Sequence, residues 1–205
     1  MSDEAGVLGG HGEGTVSAAG SLVGGLRLPA DKSVAHRALL FNAMAEGEAE
    51  VTVARPGEDV LSMAHVLQTL GAVESIGEGP ADFTRVRLRG GGTRKAAVLP
   101  GAGGETLDCG NAGTAMRLLI GALAGRPQSA TLTGDESLSA RPMERVAVPL
   151  RRIGARIVTE DGHAPIVVEG SRELAAVEHE LPIASAQVIG ALTLAGLAAQ
   201  GTTTI

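Results

Sequence analysis

The sequence contains no tryptophan and no tyrosine, and Phe41 and Phe83 are the only aromatic residues among its 205. Proteins that bind single-stranded nucleic acids stack the bases on aromatic side chains, and a formal net charge of −6 opposes binding to a phosphate backbone. We therefore expect no nucleic-acid partner. The single cysteine, Cys109, excludes a disulfide framework and a cysteine-based metal site. We interpret it as a small buried hydrophobe rather than a nucleophile.

The first residues, MSDEAGVLGGHGEG, are acidic and rich in glycine, which is unlike a signal or transit peptide. We expect a cytoplasmic protein. One uncharged segment, PIASAQVIGALTLAGLAA at 182–199, approaches the length that spans a bilayer. It contains Ser185 and Gln187 and has more alanine and glycine than large apolar residues. We interpret it as a helix at the centre of a domain rather than a membrane span, with Val188, Leu192 and Leu197 buried.

What the sequence does contain is a repeat. Three stretches share one form, a turn, then a helix rich in alanine and leucine, then a glycine: ADKSVAHRALLFNAMAEG, GNAGTAMRLLIGALAG and IASAQVIGALTLAGLAAQG. Ser33, Thr114 and Ser185 occupy similar places in them. Between them, DVLSMAHVLQTLGAVESI and RVAVPLRRIGARIVTED each predict an amphipathic helix that ends in Gly-Ala before a strand. RVRLRGGG and PIVVEGSR follow as further strands. The pattern predicts an α/β fold of repeated βαβαββ units with buried helices.

By this pattern the chain holds two units and the start of a third, in which one helix is followed by GTTTI. The remaining elements of that unit would be needed to cover apolar neighbours. We therefore expect this chain to work as part of a larger assembly.

The first turn, LPADKSVAHRALL at 28–40, combines the features of an anion site. Asp31 is a good N-cap, so a helix should begin near Lys32 with free backbone N–H groups and a partial positive charge. Ser33 adds a hydroxyl, and Arg37 lies one turn further on the same face with a guanidinium that can bind phosphate through two hydrogen bonds. The turn fits a phosphate monoester. A solvated helix start with incidental basic residues explains it equally well.

The later turns carry weaker signals. In CGNAGTAMR at 109–117, two glycines allow a ligand to approach the backbone, although they also fit a tight turn. The GxGxxG and GxxxxGK[ST] patterns are absent, which disfavours a nucleotide site. Ser185 and Gln187 begin the third helix, and Arg141 precedes Pro142 outside a helix. Because equivalent turns of repeated units often converge, we expect the three helix starts to face one polar, anion-binding pocket.

Four motifs together resemble the EPSP synthases, the 3-phosphoshikimate 1-carboxyvinyltransferases: LPADKSVAHRALL, LDCGNAGTAMRLL, LTGDESLSARPM and PIASAQV. The resemblance implies transfer of the enolpyruvyl group from phosphoenolpyruvate to shikimate 3-phosphate in aromatic amino acid biosynthesis, without a metal or an organic cofactor. It also implies an inside-out barrel domain of three units and a second domain, in cis or in trans, that completes the cleft. Residues 1–21 would belong with that other domain, and residues 22–205 would form an incomplete first domain.

The resemblance also implies roles for particular residues. Lys32 would contact both substrates, and Lys32 and Arg141 would be catalytic. The residues implied for shikimate 3-phosphate are Lys32, Ser33, Arg37, Ser185, Ala186 and Gln187. The residues implied for phosphoenolpyruvate are Lys32, Gly113, Arg141 and Gln187. The phosphate site inferred from the first turn coincides with the site that the family implies.

Two positions depart from the family pattern. Ala30 replaces a usual glycine, which would perturb the approach to Lys32. Ile189 replaces a common lysine, which would remove a charge near the pocket. The family's proton-transfer carboxylates come from the second domain. We assign Asp31 to a helix cap and Asp135 and Glu136 to a loop, and expect no carboxylate over the pocket. The 205-residue chain alone should therefore not catalyse carboxyvinyl transfer.

Three alternatives stay open from the sequence. The UDP-N-acetylglucosamine enolpyruvyl transferases carry Lys-Asn where this chain has Lys32 and Ser33, and they have a loop cysteine where residues 137–141 have none. The RNA 3′-phosphate cyclases share a related repeat but need a nucleotylated histidine, which this sequence does not identify. A non-catalytic anion-binding or assembly module would keep the pocket without the chemistry.

Overall fold

The computed structural model describes Val23, Gly25 and residues 27–93, 98–171, 173–181 and 184–205. The predicted N-terminal segment, residues 1–21, lies outside them. The described helices are α1 (Lys32–Met44), α2 (Glu58–Thr69), α3 (Gly113–Ala124), α4 (Glu136–Ser139), α5 (Glu144–Arg152) and α6 (Ala186–Gly196). The described strands are β1 (Glu46–Ala54), β2 (Val73–Glu78), β3 (Phe83–Gly91), β4 (Glu105–Asp108), β5 (Ala130–Thr133), β6 (Arg156–Glu160) and β7 (His163–Glu169).

The second repeat unit contains every element that the sequence predicts. Its strands form one sheet in the order β4-β5-β7-β6, in which β4 and β5 are parallel and the other pairs are antiparallel. Parallel neighbours need a crossover connection, and α3 supplies it. A further one-turn helix, α4, precedes α5. The predicted βαβαββ order is confirmed for this unit.

The first unit follows the same order from its first helix onward. After α1 and β1 come α2, β2 and β3, and the strands form an antiparallel sheet in the order β1-β3-β2. Ahead of α1, the backbone N–H of Ala30 donates to the carbonyl of Ala54 at 2.9 Å. Ahead of α3, the N–H of Cys109 donates to the carbonyl of Thr133 at 2.9 Å. Each helix is therefore framed by the same closing hydrogen bond.

The third unit is represented by α6 and by two isolated parallel bridges, which pair Ala175 with Gln200 and Glu178 with Thr204. The N–H of His179 donates to the carbonyl of Thr204 at 2.8 Å. This hydrogen bond repeats the closure seen ahead of α1 and α3. The first crossover of the predicted third repeat, which consists of α6 and the parallel bridges beside it, is therefore present in the structure.

Both amphipathic helices end in the same way. Gly71 follows α2 and Gly154 follows α5, with φ angles of +80° and +95° that glycine adopts without a steric cost. The alanine after each glycine donates its N–H to a carbonyl in the last helical turn, at 2.8 Å after α2 and 3.1 Å after α5. This is the Schellman arrangement, and it confirms the predicted Gly-Ala ends.

The helices of the repeated turns form the centre of the molecule, but they are not equally enclosed. In α3, eleven of twelve residues are buried. One side of α6 packs on α3 and α5, and Val188 and Leu192 are buried there as predicted. The prediction that Leu197 is buried is wrong, because it is 59% exposed, as Ile189 is 42% exposed. A uniformly apolar segment carries no signal of which side its neighbours cover.

Within the uncharged segment at 182–199, the described residues contain one short helix, α6. α6 has eleven residues, well below the roughly 20 residues that a membrane span requires. Across the described ranges, no helix combines the length and the apolar character needed to cross a membrane.

Candidate functional site

The N-terminal ends of α1, α3 and α6 converge on one cavity of about 380 Å³. Ser33, Thr114 and Gln187 line it, and each is the second residue of its helix. The expected meeting of the three turns is therefore observed, with Gln187 rather than Ser185 in the third equivalent place. The lining residues are Asp31, Lys32, Ser33, Arg37, Thr114, Leu118, Ala186, Gln187 and Gly190.

The cavity is suited to an anion. Three helix N-termini leave backbone N–H groups without helical partners and carry a partial positive charge, and Arg37 adds a formal charge. Asp31 is occupied by the cap that the sequence predicts, since its Oδ1 accepts a hydrogen bond from the N–H of Val34 at 2.7 Å. On the opposite wall, Nε2 of Gln187 donates to Oγ1 of Thr114 at 3.4 Å. This contact ties the start of α6 to the start of α3.

Lys32 is paired with a carboxylate that the sequence did not single out. Its Nζ forms an ion pair with Asp59 in the first turn of α2, and the two side chains are 56% and 25% exposed. The expectation that no carboxylate lies over the pocket is therefore wrong, because Asp59 contacts Lys32 and Asp31 lines the cavity. Acidic residues are common in the first turn of any helix, so the local sequence of α2 gives no sign of this contact.

A second group of charges lies beside Gly113, the first residue of α3. A β-carbon at Gly113 would lie 2.8 Å from Nη1 of Arg117 and 3.0 Å from Nη1 of Arg141, so the glycine allows both guanidinium groups to approach the backbone. Arg117 is 7% exposed, its Nη1 donates to the carbonyl of Gly113 at 3.2 Å, and its Nε has no hydrogen-bond partner among the described residues. Burial lowers the pKa of Arg117, and the charges of Arg145 and Arg141 lower it further. An anionic ligand would relieve this accumulation of positive charge.

Arg141, between α4 and α5, is held by a chain of hydrogen bonds. Its Nη2 donates to Oδ1 of Asn111, and Nδ2 of Asn111 donates to Oδ2 of Asp135 at 2.8 Å. Asp135 also caps α4, where its Oδ1 accepts from the N–H of Leu138 at 2.7 Å. The hydrogen bond from Asn111 lowers the pKa of Asp135 most, and the hydrogen bond from Leu138 lowers it further.

The interpretation of Asp135 and Glu136 as loop residues is wrong. Asp135 is the N-cap of α4, and Glu136 is its first residue. A helix of four residues is too short to produce a periodic pattern of apolar positions. Aspartate is a favoured N-cap residue, so Asp135 itself was the sequence signal that could have identified the start of α4.

Ser185 stands apart from the other residues implied for shikimate 3-phosphate. It lines a neighbouring cavity of about 590 Å³, together with Arg145 and Val188. It is the N-cap residue of α6 but makes no capping hydrogen bond through its side chain. The implied residues that do meet around the first cavity are Lys32, Ser33, Arg37, Ala186 and Gln187. Gly113 and Arg141 form the adjacent charged group.

The positions that depart from the family pattern lie away from the centre of the cavity. Ala30 packs against the core and bonds through its N–H to Ala54. Ile189 lies in a different groove, beside Thr193 and Leu197, and it is not among the residues that line the first cavity. The expected loss of a charge near the pocket stays a prediction.

Two further groups bear on the chemistry. Cys109 is buried, and desolvation, followed by the charge of Asp108, raises its pKa to about 12. The thiol is therefore not a nucleophile at neutral pH. Within the part of the chain that the structure describes, no group of three or more histidine, cysteine or acidic side chains could hold a metal ion.

Comparison with known proteins gives one family. The model of the family described as EPSP synthase (3-phosphoshikimate 1-carboxyvinyltransferase) matches residues 16–205. A 3-phosphoshikimate 1-carboxyvinyltransferase from Acidithiobacillus ferrooxidans is 47% identical over 189 residues, which cover 90% of this chain and 40% of the relative. One from Bradyrhizobium diazoefficiens is 44% identical over 189 residues, which cover 91% of this chain and 38% of the relative.

The fold agrees with the sequence match. A solved structure of EPSP synthase from Acinetobacter baumannii is similar with a TM-score of 0.73 and 43% sequence identity, over 87% of this chain and 39% of that chain. The chain spans about 40% of the length of the curated relatives that it matches. The predicted fold class and the resemblance read from the four motifs are both confirmed, and the chain belongs to the EPSP synthase family.

Proposed function

We propose that this chain forms the shikimate 3-phosphate-binding part of a 3-phosphoshikimate 1-carboxyvinyltransferase. The enzyme would transfer the carboxyvinyl group of phosphoenolpyruvate to shikimate 3-phosphate. The observation that carries the proposal is the cavity at the three helix N-termini, where Lys32, Ser33 and Arg37 meet Thr114 and Gln187. Family membership supports the proposed reaction. The chemistry of this cavity supports the assignment of shikimate 3-phosphate binding to this chain.

Shikimate 3-phosphate carries a phosphate monoester, a carboxylate and ring hydroxyls. In the proposed complex its phosphate binds at the start of α1, where free N–H groups, the hydroxyl of Ser33 and the guanidinium of Arg37 supply donors. On the opposite wall, the amide of Gln187 both donates and accepts hydrogen bonds, which suits the ring hydroxyls. Ala186, which also lines the cavity, completes this wall.

Phosphoenolpyruvate would bind beside the first substrate, where α3 begins at Gly113. The guanidinium of Arg141 receives its phosphate, and Gln187 and Lys32 lie between the two ligands. Lys32 then exchanges its contact with Asp59 for contacts with the anionic substrates. Because the ion pair is partly exposed, breaking it costs little free energy, about 0–1 kcal/mol.

The reaction needs proton transfers that this cavity does not provide on its own. A hydroxyl of shikimate 3-phosphate loses its proton and adds to C2 of phosphoenolpyruvate as C3 gains a proton. The bond from C2 to the phosphate oxygen then breaks, and phosphate leaves as C3 loses a proton. The groups that move these protons must lie within hydrogen-bond reach of the reacting atoms. At the cavity, Asp31 caps α1 and Asp59 pairs with Lys32. We therefore assign proton transfer to the rest of the enzyme, in a second domain.

Binding of shikimate 3-phosphate tests the proposal. Arg37→Ala removes one charge-assisted contact worth about 1.5–3 kcal/mol, so the affinity measured by titration calorimetry should fall roughly tenfold or more. Arg156→Ala is the matched control, because it removes an exposed arginine from β6 that does not line the cavity. Equal affinities for Arg37→Ala and the wild-type chain, or no binding by the folded wild-type chain, would contradict the proposal.

Release of phosphate tests the division of the active site. With both substrates present, the 205-residue chain should release none, because the proton-transfer groups are missing and an open half-site leaves the substrates hydrated. Activity should appear when the remaining part of an enzyme of this family is added as a separate polypeptide. Turnover by the purified chain alone would overturn the assignment. Binding without turnover in the completed mixture would favour the non-catalytic module.

A further inference from the structure

We propose that Asp135 is a positioning residue that acts through Asn111 to orient the guanidinium of Arg141 toward the start of α3. The inference rests on the proposed function, in which Arg141 receives the phosphate of phosphoenolpyruvate. Asp135 itself would touch neither substrate. Its role is to fix the orientation of the Asn111 side-chain amide, so that the amide oxygen faces Arg141.

The polarity of the hydrogen bonds carries the argument. An ionised carboxylate only accepts hydrogen bonds, so the amide nitrogen of Asn111 must face Asp135, as observed at 2.8 Å. The amide oxygen of Asn111 must then face the other way, where it accepts from Nη2 of Arg141. Asp135 is fixed at two further points, by the N–H of Leu138 on its carboxylate at 2.7 Å and by its own N–H on the carbonyl of Gly110 at 3.0 Å.

Arg141 needs such an anchor because it faces a like charge. The Nη1 atoms of Arg141 and Arg117 lie 3.0 and 2.8 Å from the point where a β-carbon of Gly113 would stand. The two cationic nitrogens are therefore at most the sum of these distances apart. Arg117 is buried and bonded to the carbonyl of Gly113, so Arg141 is the partner that is free to move away.

A neutral amide is well suited to this task. A carboxylate in direct contact with Arg141 would hold it equally well but would compensate its charge, which would weaken its attraction for an anionic ligand. Asn111 holds the guanidinium and leaves its charge available, while the negative charge of Asp135 stays one residue further away. Asn111 thus orients the guanidinium of Arg141 without neutralising its charge.

Two substitutions distinguish positioning from simple electrostatics. Asp135→Asn keeps an oxygen for the cap of α4, where asparagine is a favoured N-cap, but it can present an amide nitrogen to Asn111. Asn111 then turns its oxygen toward residue 135 and its nitrogen toward Arg141, whose Nη2 keeps only the longer contact to Oγ of Ser137, at 3.4 Å. Glu136→Gln is the matched control, because it removes the same charge from the neighbouring exposed residue.

The two hypotheses predict opposite signs. Removing a negative charge near an anion site strengthens anion binding by Coulomb's law, and both variants should then bind phosphoenolpyruvate slightly more tightly. If Asp135 positions Arg141, Asp135→Asn should bind about tenfold more weakly, as expected for the loss of one charge-assisted contact, while Glu136→Gln should not weaken binding. The measurement is calorimetric titration of phosphoenolpyruvate into the chain saturated with shikimate 3-phosphate. Equal behaviour of the two variants would overturn the proposal.

A spectroscopic readout keeps the test independent of the proposed function. In ¹H–¹⁵N correlation spectra, Asp135→Asn should shift or broaden the side-chain signals of Asn111 and of Nε–Hε in Arg141, and Glu136→Gln should leave them in place. If the wild-type chain saturated with shikimate 3-phosphate does not bind phosphoenolpyruvate, the phosphoenolpyruvate site assigned to Gly113 and Arg141 fails, and these spectra alone decide. Unchanged Asn111 and Arg141 signals in folded Asp135→Asn would show that Asp135 does not position Arg141.

Discussion

Arg126 is a charged side chain with 1% of its surface exposed. Among the described residues, its Nε and Nη2 have hydrogen-bond partners and its Nη1 has none. Nη2 contacts both carboxylate oxygens of Glu105 at 3.1 and 3.2 Å, and Nε donates to Oε1 of Gln128 at 3.3 Å. Glu105 begins β4, whereas Arg126 follows α3. A buried charge needs a hydrogen-bonded partner of opposite sign. The pair therefore fastens the end of α3 to the start of β4.

Glu105 should make stability depend on pH. Burial raises the pKa of its carboxyl, but hydrogen bonds from the N–H of Gly103, at 2.9 Å, and from Arg126 outweigh burial and lower the pKa overall. A group with a lowered folded-state pKa stabilises the fold above its unfolded-state pKa and loses that contribution as the pH falls through the folded-state value. The free energy of unfolding should therefore decrease on acidification.

Glu105→Gln tests this at the residue scale. At neutral pH the substitution should lower the free energy of unfolding by about 1.5–3 kcal/mol, because Arg126 loses a charge-assisted partner. Between neutral pH and about pH 3 the variant should lose less stability than the wild-type chain. Denaturant titrations followed by circular dichroism would measure both, with the exposed Glu169→Gln as the control. A variant as stable and as acid-sensitive as the wild-type chain would contradict the assignment.

At the scale of elements, local signals predicted where helices begin and end better than they predicted which side of a helix is covered. The cap of α1 by Asp31 and the glycine ends of α2 and α5 depend on a few neighbouring residues, and the sequence identified them. Leu197 was misplaced because burial depends on packing between α6 and distant elements. α4 was missed because one turn is too short for a periodic signal.

The uneven burial of α6 can be measured. Leu192 is fully buried between its neighbours, whereas Leu197 is 59% exposed. Leu192→Ala should leave a cavity and lower the free energy of unfolding by about 2–5 kcal/mol, whereas Leu197→Ala should change it by about 0.5 kcal/mol or less. Reversible urea unfolding of both variants provides the comparison. Similar losses for the two leucines would mean that α6 is enclosed on both sides.

At the scale of the whole molecule, the repeat and the four motifs predicted the architecture and the convergence of three turns on one cavity. They could not predict the partner of Lys32, because Asp59 reaches it from α2 through the tertiary fold. They also placed Ser185 where the structure has Gln187, since α6 begins two residues later than the comparison of the turns implied. Register of this kind is set by packing, and sequence similarity between repeats fixes it only to within a residue or two.

A similar backbone hydrogen bond recurs ahead of α1, α3 and α6, and it can be used to measure the local stability of each unit. An amide hydrogen exchanges with solvent when its local structure opens, so its exchange rate reports the free energy of that opening. Cys109 is fully buried and bonds to a strand of the four-stranded sheet, whereas His179 bonds to Thr204 beside an isolated bridge. Exchange measured by NMR should be slowest at Cys109 and fastest at His179. Equal protection would mean that the units open together, as one cooperative body rather than as successive layers of decreasing stability.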